Sequence, residues 1–161
     1  LTLKLNESVP RRTLKDCEAV IERSLRTLIV GEALRDIRDR QLYAPQHPSF
    51  EIYCRKRWGL AHRRVARFVE AAEVAQFLAH HGLLALPDAK LAHELAPLLA
   101  EPERLMATWI VLSSLEAVPS ATLVRTVVLR VEGAPLDLDV ESIVTDAIAE
   151  HRRPNDSHQI S

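Results

Sequence analysis

Apolar residues return every three or four positions along this chain, and most segments that keep this rhythm are closed by proline or glycine. That spacing marks one side of a helix, and a chain built of it hides its apolar surface by packing helix on helix. The first stretch begins after Thr13, where Leu14, Cys17, Val20, Ile21, Leu25, Leu28, Ile29 and Ile37 keep the period. Thr13 with Asp16 three residues on suits a helix start, and the period predicts one helix to about Arg40, on the order of 40 Å long. Gly31 is its weak point, where a bend is expected. Pro45 and Pro48 then force a turn, and Ser49 caps a short helix from Phe50 to about Trp58. Beyond Gly59-Leu60-Ala61 a second helix runs from His62 to about Leu78, ending at His80-His81-Gly82 with Gly82 as a left-handed stop. Pro87-Asp88, Glu101-Pro102, Pro119-Ser120 and Asp139 open four more. Only Thr2 to Leu5 alternates with period two, too short a run to build a sheet. The fold class is all-α, a multi-helix domain with a long N-terminal helix and a central helix-turn-helix.

Charge is distributed unevenly over this pattern. Between Ile52 and Val69 stand Arg55, Lys56, Arg57, Arg63, Arg64 and Arg67, with His62 among them and no carboxylate. The whole chain has a formal charge of −1, so removing those six cations leaves −7 on the remainder. Phosphate neutralisation is local, and a short cationic element suits DNA without a basic protein around it. In the helix from His62, the residues Val65, Phe68, Val69 and Ala72 form one apolar stripe. Turning that stripe inward places Arg63 and Arg67 almost opposite it and Arg64 on a flank. In the preceding helix Phe50, Tyr53 and Cys54 form the buried side, while Arg55 and Lys56 point away. Two short helices, a glycine turn and cations at the start of the second match the plan in which the second helix enters the major groove. Arg63 and Arg67 are then the base readers, since a guanidinium can engage both guanine acceptors. Arg55, Lys56 and Arg64 grip phosphates, and His62 lies at the same edge. The competing reading is a basic helical hairpin that docks on an acidic protein partner.

The stretch PSFEIYCRKRWGLAHRRVARFVEAAEV resembles a helix-turn-helix of bacterial plasmid, phage and mobile-element proteins, with F-x-x-Y-C-x-x-R-W-G, a basic helix and a closing A-A-E-V. The upstream CEAVIERSLRTLIVGEALRDIRDRQLY is similar to the long helix preceding it in such proteins. The downstream LPDAKLAHELAPLL, and the helix bearing Trp109, resemble the helices that follow it in ParB-like partition and KorB-like repressor proteins. The resemblance implies DNA binding in partition, replication control or transcriptional repression. Where that family usually has a serine before the recognition helix, this chain has Ala61. Nothing resembles the arginine-rich ParB nucleotide-binding motif, so nucleotide-switch chemistry is not implied.

Other chemistry finds little support. His80 and His81 are adjacent and His93 is twelve residues on, without ligand-spaced cysteines or carboxylates, so no metal is expected. Four scattered glycines make no phosphate loop, Ser113-Ser114 lacks a nucleophile-elbow pattern, and no catalytic residue or cofactor is expected. Cys17 and Cys54 fall on apolar faces and read as reduced core residues. Residues 1–12 form a polar arm without signal-peptide features, and no apolar run spans a bilayer, so the expected location is cytoplasmic without membrane contact. The resulting organisation is an arm at 1–12, a DNA-binding domain at 13–118 with the helix-turn-helix at about 49–79, and C-terminal helices at 119–161. In that last part Leu123, Val124, Val127, Val128 and Val131 make a stripe that either packs within the chain or joins a homodimer.

Overall fold

The computed structural model describes residues 11–23, 27–83, 85–86 and 88–153. In chain order the helices are α1 (Leu14–Arg23), α2 (Thr27–Asp39), α3 (Phe50–Trp58), α4 (His62–His80) and α5 (Ala89–Leu95). A 3-10 segment (Ala96–Ala100) leads to α6 (Pro102–Ser113), α7 (Ala121–Gly133) and α8 (Val140–Arg152). Among the described residues there is no strand, and no helix is long and apolar enough to cross a membrane. The all-α expectation holds. Most of the arm and the tail from residue 154 lie outside the described residues.

Local chemistry explains most helix starts. Thr13 Oγ1 accepts from the Asp16 amide at 3.3 Å while the Asp16 carboxylate accepts from the Thr13 amide at 2.8 Å, a reciprocal cap. Ser49, Asp88, Ser120 and Asp139 likewise accept from the first unpaired amides of α3, α5, α7 and α8. Each such cap is worth about 1 kcal/mol. At the far end of α4, Gly82 takes φ +67°, letting the Leu83 amide reach the Leu78 carbonyl at 3.0 Å.

The single long N-terminal helix is replaced by two helices packed against each other. Cys17 Sγ lies 3.5 Å from Asp36 Oδ2, and Arg40 Nη1 donates to the Arg12 carbonyl at 2.5 Å. In one straight helix Cys17 and Asp36 would stand about 28 Å apart. The chain therefore reverses between α1 and α2, which buries the apolar sides of both in one core. Gly31 is not a bend. It sits inside α2 where that helix meets α4, and a β-carbon there would lie 1.9 Å from the Phe68 carbonyl oxygen and 3.0 Å from Ala72 Cβ.

Two cores result, and α4 belongs to both. Its first half sends Val65 and Val69 into a core with Cys17, Leu34, Ile37, Tyr53 and Cys54. Its second half sends Ala71, Val74 and Leu78 into another, built from α5 through α8 around Leu95, Leu105, Leu112 and Val127. The stripe Leu123, Val124, Val127, Val128 and Val131 is buried in this second core, so it packs within the chain and is not left for a second copy. Burial pushes the Cys54 thiol up to about 12, and burial with the neighbouring Asp36 carboxylate pushes Cys17 up to about 11. Both are packed, protonated thiols at neutral pH.

Arg104 is a buried charge that sequence reasoning did not single out. Its guanidinium donates to the carbonyls of Val131 (2.5 Å), Ala134 (3.0 Å) and Pro135 (2.8 Å), and its Nε lies 3.1 Å from a Glu101 carboxylate oxygen. It thereby satisfies carbonyls at the C-terminal end of α7 and fixes the turn that follows.

The α2–α4 approach makes a definite demand on Gly31. Gly31→Ala should lower stability by about 1–3 kcal/mol through overpacking, although alanine is the better helix former by about 1 kcal/mol. A urea midpoint equal to or above that of the parent chain would show that the two backbones do not meet so closely.

Candidate nucleic-acid interface

The cationic segment lies on α3, α4 and their connection. Tyr53 and Cys54 anchor α3, and Val65 and Val69 anchor the start of α4, all in the N-terminal core. Gly59 ends α3 in the left-handed region with φ +64°, its amide bonded to the Arg55 carbonyl at 3.1 Å. A glycine is needed there because that φ strains any residue with a β-carbon. Leu60 and Ala61 then lead into α4.

With both helices anchored on their apolar sides, Arg55, Lys56, His62, Arg63, Arg64 and Arg67 are exposed. Among the described residues none of these six is in an ion pair with a carboxylate. Arg64 lies over the Phe68 ring, 5.7 Å from its centroid, an arrangement that keeps the guanidinium near the helix surface. The spacing therefore placed these side chains correctly on the solvent side. Glu70, which the same spacing puts next after Arg67, is half-buried and turned towards α5, its Oε2 3.6 Å from His93 Nδ1. α5 therefore borders that side beyond Arg67, leaving the Glu70 side chain 43% exposed. The cations of α4 lie within its first six residues, about 9 Å of helix.

Arg57 is the exception among the cations. It reaches back to α1, with Nη2 2.6 Å from Glu22 Oε1 and Nε 3.3 Å from Glu18 Oε1, and its guanidinium lies 4.4 Å from the centre of the Trp58 ring. The Glu22 hydrogen bond, supported by the charges of both carboxylates, raises its pKa above the ordinary arginine value. Glu18 also accepts from the Tyr53 hydroxyl at 3.0 Å, and that hydroxyl accepts from Trp58 Nε1 at 3.1 Å. Burial drives the Tyr53 hydroxyl well above its usual pKa, so it remains a donor. This polar chain fixes α1 to α3 behind the exposed cations. It depends on the reversal of α1, which periodicity could not reveal.

Ala61 precedes α4 with extended backbone and no side-chain hydrogen bond. The first amides of α4 therefore have no side-chain cap, although the Arg64 amide bonds to the Ala61 carbonyl at 2.9 Å. On the other flank, Arg125 of α7 holds Glu94 of α5 through Nε at 2.9 Å and Nη2 at 2.5 Å. That hydrogen bonding draws the Glu94 carboxyl below its usual range, with smaller effects from the charges of Arg125, His93 and Arg67. No group of three or more metal-ligating side chains with suitable geometry occurs among the described residues.

The missing cap gives a direct test of this local geometry. Ala61→Ser should raise stability by about 0.5–1 kcal/mol, read as a higher thermal or urea midpoint. No gain would mean that the α4 amides already have partners.

The chain matches no known protein-family model, no curated protein and no solved structure.

Proposed function

We propose that this chain is a sequence-specific double-stranded DNA-binding protein that presents the start of α4 to the major groove. The observation carrying this reading is the set of exposed, unpaired cations around a three-residue turn, on helices whose other sides are anchored in a core. Arg63 and Arg67 project from the first six residues of α4 and take the base-reading role. Arg55, Lys56 and Arg64 flank them and take phosphates, and the uncapped amides beginning at His62 offer a further phosphate contact of the kind helix N-termini provide. Arg57 is assigned to the scaffold, because its partners are Glu18 and Glu22. Glu70 lies beside His93 of α5 at the edge of this surface, so the groove contact ends at Arg67. The resemblance of the central stretch to partition and repressor proteins supports a regulatory, partition or replication-control role on a bacterial mobile element.

The three cations assigned to phosphate, Arg55, Lys56 and Arg64, should give a log–log salt slope of about −3. The measurement is an electrophoretic shift on random duplex, repeated with DNA from upstream of the chain's own coding region. Arg63→Ala should relax base preference by about 1–3 kcal/mol at one position, whereas Lys56→Ala should weaken every sequence alike. A flat salt dependence would remove the phosphate grip. Equal losses on all sequences for both variants would refute the division of labour.

A further inference from the structure

The molecule carries a second charge cluster, opposite in sign to the first. Residues 131–150 hold six carboxylates (Glu132, Asp137, Asp139, Glu141, Asp146 and Glu150) and no lysine or arginine. At its centre the turn between α7 and α8 exposes two leucines, Leu136 at 84% and Leu138 at 50%. Exposed leucines on a loose loop would be unremarkable, but this turn is held. Arg104 binds the carbonyls of Ala134 and Pro135, the Leu138 amide donates to the Pro135 carbonyl at 3.3 Å, and Asp139 caps α8. Such a turn presents its leucines with little ordering left to lose on contact. Beside it, between the turn and the start of α6, is a groove of about 690 Å³ with Ala107, Leu136 and Leu138 on its apolar side and Glu101 and Glu103 at its rim.

We infer that this acidic, leucine-bearing turn docks on the basic α3–α4 face of a second copy of the chain. Charge identifies the occupant: the turn and the start of α8 carry Asp137, Asp139 and Glu141 beside Glu103 of the groove, with Glu150 paired to Arg130, and the α3–α4 face carries Arg55, Lys56, Arg63, Arg64 and Arg67, with Arg57 held by Glu18 and Glu22. Asp137 and Glu141 are exposed, and among the described residues neither is in an ion pair, as is true of Arg55, Lys56, Arg63 and Arg67. The α3–α4 turn also offers a half-buried leucine, Leu60, among its cations. The contact joins unlike patches, so it differs from a dimer built on the α7 stripe, which is buried. It also uses the surface assigned above to DNA, so duplex and second copy compete for it. The self-association itself does not rest on the DNA reading.

Two variants of the full chain test this by sedimentation equilibrium without DNA. One carries Leu136→Lys with Asp137→Lys and keeps the basic face; the other carries Arg63→Glu with Arg67→Glu and keeps the acidic turn. All four positions are exposed, and a glutamate in the first turn of α4 suits the helix dipole, so both variants should fold. The parent chain should gain mass with concentration up to about 1 mM at low salt and return to monomer at about 0.5 M salt. Each variant alone should associate about tenfold or more weakly. An equimolar mixture should recover a one-to-one dimer, because each supplies the patch the other lacks. A parent chain monomeric throughout, a variant that associates like the parent, or a mixture that stays monomeric would each overturn the inference. Because no duplex is present, the result is independent of the electrophoretic test of DNA binding.

Discussion

At Gly31 the backbone of α2 comes so close to α4 that no side chain fits between them. This contact sets where α4 lies, and α4 sends fully buried side chains into both cores. Close approach of helix backbones maximises dispersion along the contact and leaves little freedom to slide. Val65 and Val69 then fix the rotation of α4 about its own axis, and that rotation decides which side chains face water. Arg63 and Arg67 are exposed because Val65 and Val69 are not. The cationic surface is thus a consequence of packing on the opposite side of the same helix.

The return of α1 along α2 adds a second constraint. It brings Glu18 and Glu22 to Arg57, and Glu18 to the Tyr53 hydroxyl, so the scaffold neutralises one cation and leaves its neighbours unpaired. The ion pairs of Arg57 are solvent-exposed and contribute little to stability. Their effect is on geometry: they tie α3 to α1 at the end of α3 where the basic turn begins. Rigid support of this kind lets an exposed arginine engage a partner without first ordering its own helix.

Periodicity and capping chemistry made much of this legible. Ser49, Asp88, Ser120, Asp139 and Gly82 mark helix ends because each satisfies or permits a specific backbone hydrogen bond, a local property readable in a few residues. The exposed positions of Arg55, Lys56, Arg63 and Arg67 followed from the 3.6-residue period alone. The reversal between α1 and α2 was not legible, because the apolar rhythm continues from Leu14 to Ile37 and a period says nothing about chain direction. Gly31 looked like a weakness for the same reason: only the position of α4 shows that a β-carbon is excluded there. Nothing near Arg104 in the sequence marks it as buried, since its carbonyl partners lie 27 to 31 residues away. The α7 stripe stood open between two kinds of partner until α5 and α8 were seen to cover it.

Arg104 also shows how one chain can hold opposite charges apart. A buried guanidinium must be fully hydrogen-bonded to be tolerated, and here three backbone carbonyls and Glu101 meet that need. The carbonyls belong to the end of α7 and the turn beyond it, so satisfying Arg104 fixes that turn in place. With the turn fixed, Leu136 and Leu138 cannot fold back onto the core, and the carboxylates on either side of them stay at the surface. The basic face is held in the same manner by apolar anchors on α3 and α4. Each charged surface is therefore the outer side of a rigid element, and an electrostatic partner meets a preformed shape in both places.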